Sequence, residues 1–384
     1  MEYSLIKQPG LERANELLEL HEKQGRVTYE ALLNVFVDCF GEEHRETLEG
    51  LNLFYEELRG SMVLYDQVFD SKGELVPDKA RYLLLYPWGY GGMADVYKAI
   101  DIRLSSAEET HWVAVKIPKS NKNEEPPLWN RFQREAKAMA KLPKGFTLFV
   151  YDMKEDSDHQ YLIMDWIGGG NGSFLYDYIL DNTSRGNFIE LENVWKIAKS
   201  LYEKTKYLHD ELQENHRDLA PQNIVITKEG EAQLADFGVA KNVVGAGLDE
   251  PSKNAFYGRL DYVPVEEFFS GFDSEERNRY VLTLLVYEML TGKPFHKRNI
   301  EEWVSVAGVL KGGPMEESFA PARKTMLSQD QRVVNSYGLK RAKEIEVVLD
   351  KALSKKEGRY QNDSELLADL EACLTQSNSE PLKP

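Results

Sequence analysis

Three oxygen-bearing side chains stand together in residues 216–238, HRDLAPQNIVITKEGEAQLADFG. Asp218 and Asp236 are 18 residues apart, each followed by a short apolar strand or turn, and Asn223 stands five after the first. A carboxylate can orient a hydroxyl and take its proton. Carboxylate and amide oxygens also suit a hard cation such as Mg²⁺. Two surface aspartates around an ordinary β-β unit would have the same composition. The order His-Arg-Asp-Leu, then Asn at plus five, then Asp-Phe-Gly at plus 18 sets this stretch apart.

The elements that would position such groups lie upstream. RYLLLYPWGYGGMADVYKAID reads as strand, glycine turn, strand, and Gly89, Gly91 and Gly92 let a backbone approach a ligand's oxygens closely. A flexible hairpin would share that pattern. HWVAVKIPK is a further strand, with Val113, Val115 and Ile117 on one face and Ala114 and Lys116 on the other. A lysine between apolar strand residues is costly unless its ammonium meets an anion. An edge-strand lysine reaching solvent is the alternative. LWNRFQREAKAMAKL (128–142) is an amphipathic helix expected to bury Phe132, Ala136, Met139 and Ala140. Glu135 borders that stripe and is placed to pair with Lys116; Glu124 and Glu125, in a Pro-rich turn, are the other candidates.

In this order the motifs resemble the eukaryotic-type (Hanks-type) bacterial Ser/Thr protein kinases over about residues 82–374. The resemblance implies an α+β, bilobal fold, with a small β-rich lobe over 82–164 and a larger helical lobe over 169–374. It implies ATP and Mg²⁺ as cofactors, a protein substrate, and transfer of the γ-phosphoryl group to Ser/Thr hydroxyls. Asp218 takes the role of catalytic base, and Asn223 and Asp236 those of metal ligands. Lys116, held by Glu135, falls to the α- and β-phosphates beneath Gly89, Gly91 and Gly92. Val96 and Ala114 cover the adenine from above and Val225 supports it from below. Met164 lines the back of that pocket, and the backbone of Asp165 and Ile167 meets the purine edge. VWKIAKSLYEKTKYLHDEL (194–212) matches the scaffold helix, and RYVLTLLVYEMLTGKPF (279–295) the central hydrophobic helix. Residues 236–266 are the expected activation segment, with Glu266 as the expected ion-pair partner of Arg359.

The chain departs from the family's pattern at several positions. Ala220 stands where Ser/Thr kinases carry a lysine for the γ-phosphate, and Gln222 where tyrosine kinases carry an arginine. Arg259 replaces the usual threonine of the activation segment and is expected to supply the missing cation as a catalytic residue. The rival expectation is a pseudokinase or nucleotide-gated scaffold. A small-molecule phosphotransferase of the related antibiotic or choline type ranks below both, because it usually lacks the Gly…Pro-x-Glu segment. Asn278 replaces an aspartate of the central helix, and Pro264-Val265 the usual Ala-Pro. Arg217 and Lys241 suggest control by a phosphate, with Ser252 and Tyr257 as acceptors.

The remaining signals bound the partners. The net charge of −17 disfavours a nucleic-acid or anionic-membrane partner held by bulk electrostatics. Two cysteines, Cys39 and Cys373, without metal-ligand spacing fit a reducing cytosol. No signal peptide or membrane-length apolar run is evident, so the expectation is a cytoplasmic protein.

Residues 1–78 read as a helical accessory domain. Helices are expected over 11–25, from Tyr29 to Phe40 after a Thr28 cap, and from about Glu42 to Leu58. A strand follows over 61–69, then a hairpin or linker at Gly73 and Pro77. Through TYE and its apolar spacing alone, this region resembles the acidic N-terminal domain of primary sigma factors. Residues 1–80 carry 17 acidic and 8 basic side chains, which disfavours direct DNA binding and favours a protein partner. Residues 375–384 are expected to be a disordered tail.

Overall fold

The apolar spacing of YEALLNVFVDCF, with Leu33, Phe36, Val37 and Phe40 at i, i+3, i+4 and i+7, makes one helical stripe. In the computed structural model this is α1 (Tyr29–Phe40), and all four residues are buried. The structure describes residues 29–51, 62–69, 75–90, 94–119, 126–155, 160–168, 172–212, 215–216, 218–236, 260–262, 275–295, 325–354 and 358–375. The helix expected over 11–25 lies outside them. Contacts divide the chain into two compact units, Met1–Ala136 with Phe149–Trp166, and Lys137–Leu148 with Ile167–Pro384.

The first unit is built on a six-stranded sheet in the order β1-β2-β3-β4-β6-β5. Its strands are β1 (Met62–Phe69), β2 (Leu75–Tyr90), β3 (Ala94–Asp101), β4 (Trp112–Pro118), β5 (Val150–Glu155) and β6 (Gln160–Asp165), and every pairing is antiparallel. Alternation gives the sheet two apolar faces. On one, Tyr82, Leu84, Ala99, Val113, Val115 and Ile163 share a core with Leu64 of β1. On the other, Leu83, Leu85, Ile100 and Ile102 receive the stripe of α1 together with Leu48 of α2 (Arg45–Gly50). The N-terminal helices therefore share a core with the sheet. Gly50, at the end of α2, lies so close to the β3–β4 loop that an added Cβ would meet the Ala107 Cα at 2.7 Å. Pro77, expected with Gly73 to mark a hairpin or linker, sits near the start of β2 opposite Gln67, and Gly73 lies outside the described residues. A proline can occupy a strand where its missing N–H is not needed.

Helix α3 (Pro126–Lys141) follows β4. Phe132, Glu135, Ala136, Ala138 and Met139 are buried, whereas Ala140, expected inside, is exposed. The buried arc is centred on the Glu135–Met139 side of the helix, which brings Ala138 in and leaves Ala140 beyond its edge.

The second unit is mainly helical. The strands β7 (Gly172–Phe174), β8 (Ile224–Thr227) and β9 (Ala232–Leu234) form a small sheet. Between β7 and β8 lie α4 (Leu175–Ser184) and the long α5 (Leu191–Leu212). Helix α5 buries Val194, Ile197, Ala198, Leu201, Thr205 and Leu208 along one face. Helix α6 (Glu275–Thr291) buries residues on all sides from Tyr280 to Leu290 except Tyr287. That pattern marks a helix enclosed by its unit. It ends at Gly292, whose φ of +70° closes the turn. Among the described residues of this unit, helices α7 (Gln331–Tyr337), α8 (Leu339–Ala352) and α9 (Asp363–Thr375) follow. Among the described residues no helix is long and apolar enough to cross a membrane.

Candidate functional site

Strand register brings most of the first unit's candidate residues onto one surface. Val96 of β3 lies opposite Lys116 of β4, which lies opposite Leu162 of β6. One row along, Lys98, Ala114 and Met164 face one another in the same way. Directly opposed residues in an antiparallel ladder share a face, as do i and i+2 along a strand. Val96, Ala114, Lys116 and Met164 are thus four neighbours on one face, with Gly89 of β2 paired to Val96 at its end. Gly91 and Gly92 lie outside the described residues.

The Lys116 ammonium is 2.6 Å from Oε1 of Glu135, and both side chains are buried. An ammonium in an apolar strand interior needs a compensating anion, and α3 supplies it. At the end of β6, Asp165 is tied by three bonds to β5 and to Phe149 just before it. Its backbone N–H donates to the Phe149 carbonyl at 2.9 Å, and its carboxylate accepts from the Phe149 N–H at 2.9 Å and the Tyr151 hydroxyl at 2.8 Å. Partial burial, reinforced by that carboxylate, pushes the Tyr151 hydroxyl up to about 12, so it stays a donor at neutral pH. Ile167, two residues on, is half-buried.

In the second unit, residues 215–236 assemble themselves by short-range bonds. The Asn223 side-chain amide donates to the Asp218 carbonyl at 2.9 Å and to its carboxylate at 2.8 Å. With that nitrogen spent on Asp218, the amide oxygen is the atom Asn223 can offer a cation. The Asn223 carbonyl accepts from the Ala235 N–H at 2.8 Å. The Ala235 carbonyl in turn accepts from Nε2 of His216 at 2.9 Å. Burial lowers the pKa of His216 and outweighs the nearby carboxylates, so the ring is neutral with its proton on Nε2. Ala235 is therefore held at both its N–H and its C=O. The next residue, Asp236, is exposed and left-handed at φ +60°. A non-glycine residue there carries backbone strain that its surroundings must hold, and such residues gather at functional sites. The spacing of Asp236 from Asp218 gives no sign of this conformation. Val225, buried in β8 opposite Phe174 and Gln233, is the remaining candidate.

Among the described residues no three His, Cys, Asp or Glu side chains group closely enough to cage a metal. Two oxygen donors with open positions suit Mg²⁺, which takes few protein ligands and keeps water and phosphate for the rest.

Arg217, Phe237, Gly238, Lys241, Ser252, Tyr257, Arg259, Pro264, Val265 and Glu266 lie outside the described residues. Ala220 is fully buried. Asn278 of α6 donates through its side-chain amide to the side chain of Asn215 at 3.0 Å, just before the 216–223 loop. Arg359 is bonded to Glu276 at 3.3 Å and the Ser354 carbonyl at 2.8 Å, and lies over the Tyr280 ring. The Tyr262 hydroxyl donates to Glu288 at 2.5 Å, a pairing not evident from the sequence, and burial raises that carboxyl's pKa. A buried acid inside an apolar helix pattern was the available signal.

The family model described as the protein kinase domain matches residues 83–360. The chain belongs to the protein kinase family. It is 30% identical over 216 residues to a probable serine/threonine-protein kinase PknB of Lactococcus lactis, covering 56% of this chain and 32% of that protein. It is 30% identical over 295 residues to a probable serine/threonine-protein kinase of Clostridium perfringens, covering 76% and 38%. It is 29% identical over 216 residues to the serine/threonine-protein kinase PrkC of Bacillus subtilis, covering 56% and 31%. The chain thus spans about a third of the length of these curated relatives. The match begins inside β2, so α1, α2 and β1 precede it.

Proposed function

We propose that this chain is a protein serine/threonine kinase that transfers the γ-phosphoryl group of Mg-ATP to a protein hydroxyl. The observation that carries this reading is the self-held 215–236 loop, in which Asn223 fixes Asp218 while His216 and Asn223 fix the residue before Asp236. In this reading the Asp218 carboxylate accepts the acceptor's hydroxyl proton, and the Asn223 amide oxygen and Asp236 hold the cation that neutralises the phosphates. Lys116, kept charged and oriented by Glu135, binds the α- and β-phosphates. Val96, Ala114, Met164 and Val225 take the adenine, and Gly89, Gly91 and Gly92 take the phosphates. With the Asp165 N–H bonded to Phe149, the purine contact from that residue falls to its carbonyl, and Ile167 supplies its own backbone. Ala220 carries no cation for the γ-phosphate, and we assign that task to Arg259. Arg259→Ala should then abolish transfer while leaving ATP binding intact.

The test is incubation of purified protein with Mg²⁺, ATP and a generic protein acceptor, beside Asp218→Asn. Phosphate gained by acceptor or enzyme in the wild type alone supports the reading. Loss of a general base costs about 10²–10⁴-fold in rate. Equal incorporation with both proteins would overturn the assignment of Asp218. Nucleotide binding without any transfer, across several acceptors, would favour a nucleotide-gated scaffold.

A further inference from the structure

The N-terminal helices, which lie outside the matched family region, reach the hinge, residues 165–167 at the end of β6 where the chain passes from the first unit to the second, through a path of aromatic rings and Lys98. Trp112 and Tyr86 both pack against the core that α1 and α2 make with the sheet. The Lys98 ammonium sits 3.7 Å from the centroid of Trp112 and 5.5 Å from that of Trp166. Trp166 lies between Asp165 and Ile167 and is buried. Its ring meets Trp88 edge-on, with centroids 4.9 Å apart, and Trp88 is 6.4 Å from Tyr86. Two routes, Trp112–Lys98–Trp166 and Tyr86–Trp88–Trp166, therefore join the helical layer to the same side chain.

The backbone of β2 is shaped for this contact. Its register against β3 shifts twice, between Leu84 and Tyr86 and between Pro87 and Gly89. The two residues skipped are Leu85 and Trp88. Leu85 goes into the core shared with α1, and Trp88 goes onto Trp166. A bulge re-aims one side chain at the cost of a ladder position. Here two bulges in one strand aim one residue at each end of the path. Trp88 is also 52% exposed, a position where a large ring gains little from burial alone.

We propose that Lys98 and Trp166 are positioning residues through which the N-terminal helical layer sets nucleotide affinity at the hinge. The inference rests on the reading of Asp165 and Ile167 as the purine-contacting backbone. Lys98 draws the rings of Trp112 and Trp166 toward one charge, so a shift of the helical layer tilts Trp166 and the two peptide groups flanking it. Disturbing the layer should then weaken nucleotide binding without touching the transfer step.

The test uses the full chain, measuring the Mg-ATP Kd together with KM and kcat. Lys98→Met keeps the aliphatic stem and removes the charge, and should raise Kd and KM by about 3–10-fold, the usual reach of a partly desolvated cation–π contact. The kcat at saturating nucleotide should hold. Lys98→Arg, which retains the cation, should stay within about twofold of the wild type. Gly50→Leu, which forces α2 away from Ala107, should raise Kd in the same direction, and combining it with Lys98→Met should add little further. Unchanged Kd in both Lys98→Met and Gly50→Leu, with wild-type binding intact, overturns the proposal alone. A fall in kcat with Kd unchanged also overturns it. Failure of the wild type to bind Mg-ATP overturns the underlying reading and this proposal with it.

Discussion

The two units hold their candidate residues by opposite means. In the first, Lys116 and Glu135 are 19 residues apart, come from a strand and a helix, and are joined by one buried ion pair at 2.6 Å. In the second, His216, Asp218, Asn223 and Ala235 fall within 20 residues and are linked mostly through backbone groups. A buried charge pair tolerates little, because removing one member leaves a desolvated charge behind. A network of several bonds spreads its loss, each neutral bond contributing about 0.5–1.5 kcal/mol and the one to the Asp218 carboxylate somewhat more. The first arrangement suits a cation that must be kept charged in an apolar strand. The second suits a loop that must fix peptide orientations around a half-buried acid, Asp218, and an exposed one, Asp236.

That contrast can be broken first at the pair. Glu135→Gln should destabilise the protein by about 3–5 kcal/mol in urea unfolding, while Lys116→Met with Glu135→Leu should recover most of it without recovering transfer. If the single variant costs no more than a surface change, the pair is not the constraint its burial implies. The loop should give a smaller loss. Asn223→Ala removes two bonds to Asp218, one of them to a carboxylate, and should cost about 1.5–3 kcal/mol together with a fall in kcat.

A third comparison is in pH. Burial holds His216 below its unfolded pKa of about 6.5, so the unfolded chain takes up the proton first as pH falls. The stability tied to its neutral form is present above that pH and is lost as pH drops toward the folded value. The melting temperature of the wild type should therefore fall between pH 7.5 and 5.5 more steeply than that of His216→Asn. Equal slopes would remove His216 from the account. The smallest effect belongs to Ala140→Glu, which should stay within about 0.5 kcal/mol, whereas Ala136→Glu should be severe.

The same contrast governs which features are legible in the amino-acid sequence. The motif in 216–236 is legible because His216, Asp218, Asn223 and Asp236 follow one another closely along the chain, so their order can be read before their bonds are known. Lys116–Glu135 is legible because strand alternation and the α3 stripe both point inward. The edge of that stripe at Ala140 is not, since a run of alanines does not mark its own boundary. Asn278 is recognisable as a bonding residue, but its partner, the side chain of Asn215, is 63 residues away and carries no local signal. The burial of α1 against Leu83, Leu85, Ile100 and Ile102 is hidden for a related reason. An amphipathic helix announces its apolar face and not the surface that covers it. The left-handed Asp236 and the two bulges of β2 depend on hydrogen-bond register, which composition does not encode.

The division of labour itself is tested by measuring the Mg-ATP Kd and the single-turnover transfer rate together in Asp218→Asn. The account predicts a Kd within about twofold of the wild type and a transfer rate lower by about 10²–10⁴-fold, because the residues proposed to hold the nucleotide's base and phosphates are others than Asp218. A transfer rate close to the wild type would contradict it.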